Sequence, residues 1–185
     1  MESLSERLPS KQQIWIVFLA VLAPVSFWSL YYFLRELPSY LMRMKVWDIL
    51  GVFAYAQIVV LFDALILLFF LILAGLALPG SYHKAHFTQL AALVGFLAVA
   101  WVIPYHYLDS LEEWFPFIQQ PWFAWLWLAA FFFFLALLVI FYFRAPKLGK
   151  LTKNFLGRLT VLSSAYLVLV LVAAIIMILR VFGLR

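Results

Sequence analysis

The chain has no cysteine, which removes disulfides, thiolate metal sites, thiol nucleophiles and cysteine-linked lipid anchors at once and leaves the redox compartment unread. Charge is scarce too: Asp, Glu, Lys and Arg make up 11% of the residues, against roughly 25% in a soluble domain. The polar connections are all short, so no segment outside the apolar stretches can bury a core of its own. No Gly-rich phosphate loop, Ser-His-Asp grouping or HExxH zinc motif occurs, which argues against an autonomous catalytic site of the soluble type. There is no internal repeat of the kind that inverted-repeat transporters carry. Alternating strands of about ten residues, which a membrane β-barrel needs, are missing as well.

What the chain has is apolar residues, 68% of the total, and aromatics, 20%. They are gathered into five long runs, 14–34, 49–78, 87–108, 122–143 and 155–181, each longer than the ~18 residues that read as a membrane span. Backbone amides in lipid must be paired within the segment, so the spans are expected to be helices. The expected fold is all-α: one integral membrane bundle of five transmembrane helices filling residues 1–185. The second run, at ~1.5 Å per residue, is longer than the ~30 Å hydrocarbon core and predicts a tilt, a break near Gly51 or Gly75, or an interfacial first turn. Lys11 ahead of the apolar stretch from Ile14 resembles the start of a signal peptide. That stretch is twice the length of a usual signal core, and Pro24 follows the one small-residue site near Ala23, so it reads as a retained first span.

Loop charges set the expected orientation. With the N-terminus inside, Arg7, Lys11, Lys84, Arg144, Lys147, Lys150, Lys153 and Arg158 lie on the cytoplasmic side, and Arg35, Arg43, Lys45, Arg180 and Arg185 outside. This favours N-in and C-out. The basic segment Arg144–Arg158 contrasts with the acidic one at Asp109–Pro121, whereas Arg35–Lys45 fits the outer side poorly unless Glu36 and Asp48 offset it or the segment lies flat at the interface. The net charge of +5 sits beside apolar spans rather than on a separate basic fold, which points to lipid contacts and not to nucleic acid.

One carboxylate interrupts the apolar runs. Asp63 lies near the centre of the second, where a charge costs roughly 3 kcal/mol on insertion scales and needs a partner, a proton or water. Pro24 falls at similar depth in the first span and leaves the carbonyl of Ala20 without its usual donor. A protonated Asp63 can donate to that carbonyl or to Ser26 and pin the two helices together. Gln57 is the other polar group in the second span, six residues earlier and so about 120° away around the helix, which weakens a continuous polar lane. Asp63, Gln57, Ser26 and Pro24 are therefore expected as a buried helix-pairing group; a proton or cation relay, or pairing with a charge on another subunit, are the alternatives.

Past Pro104 come His106, Asp109, Glu112 and Glu113. If the helix continues, His106, Asp109 and Glu113 share one side and can hold a divalent cation or act as acid and base. Acids and aromatics at a span end equally form an interfacial belt, and no metal or cofactor is expected. His83 and His86 in the short inner connection are expected as an exposed pair, without other ligands to complete a metal shell. Arg144, Lys147, Lys150, Lys153 and Arg158, interleaved with leucines and Phe155, suit anionic lipid headgroups. Trp114, Trp122, Trp125, Trp127 and Phe131–Phe134 read as interfacial and lipid-facing bulk.

The reading that absorbs most of this is a non-catalytic accessory or scaffold subunit of a membrane complex, its partners being membrane lipids and a protein partner or a second copy within a prokaryotic cytoplasmic (inner) membrane. Two alternatives come from other classes: an enzyme acting on a lipid or polyprenyl-linked substrate at the outer surface through His106, Asp109, Glu112 and Glu113, and a small proton- or cation-coupled transporter using Asp63.

Overall fold

A computed structural model describes residues 9–76, 80–108, 115–144 and 146–183; at 80–85, 106, 116, 119, 146–148, 150 and 151 it describes backbone only. The described residues form five long helices, α1 (Lys11–Arg43), α2 (Val46–Leu76), α3 (Gly80–Leu108), α4 (Pro121–Arg144) and α5 (Pro146–Val181), with a single 3-10 turn at Pro116–Gln119. All five contain a stretch long and apolar enough to cross a bilayer.

The helices run further than the apolar runs within them. Ser10 starts α1 with a capping box, its side chain accepting from the Gln13 amide while the Gln13 side chain accepts from the Ser10 amide, so two otherwise orphaned donors are paired. The helix then passes through Pro24 and Pro38 to Arg43, carrying Arg35 and Arg43 on a helical extension rather than in a loop. Met44 is extended and its amide returns to the Tyr40 carbonyl, so α1 and α2 form a hairpin with a two-residue link. α2 is unbroken at Gly51 and Gly75. Pro121 and Pro146 open α4 and α5, a position where the missing N–H costs nothing. The basic segment after Arg144 is thereby mostly the first turns of α5.

α1 is the centre of the bundle, with α2, α3 and α5 packed around it, whereas α4 rests mainly on α3. The core gathers Val17, Val21 and Leu22 of α1, Val60, Ala64 and Leu68 of α2, and Phe87 and Ala91 of α3. Gly95 lets α3 come close: a Cβ there would stand 2.8 Å from Val21 Cγ2 and 3.3 Å from Leu71 Cδ1. The join of α5 to α1 is polar. Ser163, fully buried, has its hydroxyl 2.6 Å from the Leu19 carbonyl across the interface and 2.6 Å from that of Leu159 one turn earlier.

The far end of α5 closes onto the hairpin. Arg180 donates from Nη1 to the Trp47 carbonyl at 2.9 Å and approaches Asp48 with Nη2 at 3.4 Å. Gly51 makes room for this, since a Cβ there would lie 1.5 Å from Arg180 Nη1. The ion pair is partly exposed, and such pairs contribute little by themselves; the hydrogen bond to a carbonyl and the fit against glycine fix where α5 ends.

Candidate functional site

In α2, residues one face apart have opposite surroundings. Gln57 is fully buried together with Ala54, Val60, Ala64, Leu68 and Gly75, while Asp63 lies on the exposed side with Tyr55, Val59, Phe62 and Phe70. The 120° between Gln57 and Asp63 thus separates an inward polar group from an outward one. Ser26 is also fully buried, and neither its Oγ nor the two amide atoms of Gln57 makes a hydrogen bond among the described residues.

The expected pinning of Asp63 to α1 is not what the structure holds. Asp63 is exposed and makes no hydrogen bond or ion pair among the described residues. Pro24 turns the other way, lining a cavity of about 320 Å³ with Phe27, Phe96, Ala100 and Leu159 between α1, α3 and α5. Pro24 and Ser26 are two positions apart, about 200° around a helix, so they cannot serve one site. The hydroxyl that reaches α1 near the proline comes from Ser163 of α5, and it takes the Leu19 carbonyl.

Asp63 instead ends a lateral groove between α1 and α2. The groove has a volume of about 320 Å³ and runs from Tyr40 at the hairpin end past Tyr32, Tyr55, Trp28 and Ser29 to the carboxylate. Hydroxyls, an indole and one acid line an otherwise apolar channel open to the side of the bundle. Its chemistry suits a hydrogen-bonding or cationic side chain presented on an apolar surface.

A second polar group sits at the other end of the molecule, and the sequence reading passed over it. His86, expected as an exposed histidine, is partly buried in the first half of α3, and its Nδ1 lies 3.1 Å from the hydroxyl of Tyr142. Tyr142, buried in the last turn of α4, donates to Gln89 Oε1 at 2.5 Å. A hydroxyl that gives its proton to Gln89 accepts from the imidazole, which places a proton on Nδ1 and leaves Nε2 as the ring's open nitrogen. Beside the ring is an apolar crevice of about 260 Å³ between α2, α3 and α4, lined by His86, Phe87, Leu90, Leu71, Leu135 and Phe143. The spacing of His86 and Gln89, three residues on one helix face, was the available signal; Tyr142, more than fifty residues away, had none.

Of the other candidates, Asp109, Glu112 and Glu113 lie outside the described residues, as does the side chain of His106. No group of three metal-ligating His, Cys, Asp or Glu exists among the described residues. Arg144, Lys153 and Arg158 are exposed, whereas the side chains of Lys147 and Lys150, and His83 with Lys84, are outside what is described. Arg144, Lys153 and Arg158 lie at the same end as Lys11 and His86: α5, α1 and α3 meet there around a cavity that Lys153, Ile16, Thr88 and Gln89 line together.

Five such apolar helices are compatible with a polytopic membrane protein. No protein family, curated protein or solved structure matches the chain.

Proposed function

We propose that this chain is a non-catalytic subunit of a membrane complex, which uses the α1–α2 groove to hold a span of a protein partner. The observation that carries the reading is the outward Asp63 near the middle of α2. A carboxylate turned toward lipid at that depth costs roughly 3 kcal/mol, and this chain supplies it no cation among the described residues. A partner helix bearing Lys, Arg or a hydrogen-bonding amide removes that cost when it docks. Tyr32, Tyr55 and Ser29 along the groove add donors, and interhelical hydrogen bonds of this kind contribute about 0.6 kcal/mol each.

Transport is the weaker reading, because Gln57 and Asp63 occupy different faces of α2 and form no lane. The enzyme reading rests on residues whose side chains are not described. The orientation that accompanies the proposal is N-in, for which the support is the count of Lys and Arg over the whole sequence, eight against five; a prokaryotic cytoplasmic membrane is the proposed location.

The test is the mass of the complex extracted in mild detergent. The native chain is expected to migrate with a partner. Asp63→Leu should release it as a single chain of unchanged helix content, since the groove loses its one acid; Asp63→Asn should retain a fraction of the complex through its amide. A native chain that extracts alone, or an Asp63→Leu complex of unchanged mass, overturns the proposal.

A further inference from the structure

The geometry points to a specific binding site for an anionic phospholipid at the Lys11 end of the bundle: one acyl chain in the crevice between α2, α3 and α4, the phosphate against Arg144, and a headgroup hydroxyl on His86 Nε2. Three independent features converge there. Among the described residues the crevice is lined almost wholly by hydrocarbon, with His86 as the one polar residue, which matches a chain rather than a polar solute. It lies where two apolar runs of the sequence terminate, Phe87 beginning that of α3 and Phe143 ending that of α4, so a chain lying in it brings its headgroup to the bilayer boundary.

The imidazole is the third feature. Tyr142, whose hydroxyl donates to Gln89, holds Nδ1, and the ring is steadied by edge contacts with Tyr142 at 5.7 Å and Phe143 at 6.0 Å between centroids. Nε2 makes no hydrogen bond among the described residues and can accept from a hydroxyl. Phe143 lines the crevice and Arg144 is the next residue, exposed at the helix end. A cation there also complements the C-terminal end of the α4 dipole and is placed to take a phosphate oxygen. Lys11, Lys153 and Arg158 around the same end draw anionic lipids to it without selecting among them.

The experiment is native mass spectrometry of the full chain in mild detergent with equimolar phosphatidylglycerol and phosphatidylcholine. One phosphatidylglycerol should be retained in preference. Arg144→Gln and His86→Leu should each lower the preference several-fold, and Tyr142→Phe should do so less, because it releases the ring without removing it. Ala74→Phe, at an exposed position lining the crevice, should abolish retention of both lipids at unchanged helix content. Equal retention of the two lipids by the native chain, or a preference that survives Arg144→Gln and Ala74→Phe together, would overturn the proposal and reduce the contact to diffuse attraction by surface charge.

Discussion

α1 and α4 both qualify as membrane-crossing helices, and they meet the rest of the molecule in opposite ways. In α1, 44% of the apolar stretch is buried against protein; in α4, the more apolar of the two, the share is 6%. Water would reverse that order. In an apolar solvent hydrophobicity does not drive helices together, and close association follows small residues and interhelical hydrogen bonds. α1 has Ala20, Ala23 and Ser26 buried, together with a carbonyl taken by Ser163. α4 presents Trp125, Phe132, Phe133 and Phe134 outward and is held mainly by Trp101 of α3, whose indole donates to the Trp127 carbonyl, and by Tyr142.

The comparison can be broken at its strongest point. Gly95→Leu introduces a side chain where even a Cβ would stand 2.8 Å from Val21; overpacking of this kind costs about 3 kcal/mol, and chemical unfolding in mixed micelles should show the loss. A smaller effect of opposite sign is expected at Gln57. Its amide is fully buried and without a partner, so Gln57→Leu should stabilise the chain by about 1 to 2 kcal/mol in the same measurement. A result in which Gln57→Leu destabilises would mean the amide has a ligand. The smallest effect belongs to α4: Phe133→Ala at a position 61% exposed should stay within about 0.5 kcal/mol, and a larger loss would show that a second molecule covers this face.

The five apolar helices were legible because each contains a run longer than the ~18 apolar residues that mark a candidate span. Their ends were not. Hydropathy falls at the ends of the apolar runs, whereas the helices continue through residues 35–43, 80–85 and 146–154, because backbone pairing does not depend on the hydropathy of the side chains.

The site was half legible. Asp63 was conspicuous and the 120° offset from Gln57 was calculable, yet which of the two faced inward was missed. The clue was present: Gln57 shares its face with Ala54, Ala64 and Gly75, small enough for a neighbouring helix, while Asp63 shares its own with Phe62, Ile66 and Phe70. The link of His86 to Tyr142 was beyond reach, since it depends on how α3 and α4 are set side by side.

The Arg180 clasp bears on how the molecule is made. The α1–α2 hairpin is made before α5, with Gly51 leaving a notch and the Leu19 carbonyl lacking its visitor; both are filled only when α5 arrives. The hairpin therefore waits, incompletely packed, while α3 and α4 are made, and a ribosome stalled before α5 would leave an assembly intermediate with its central helix uncovered on one side.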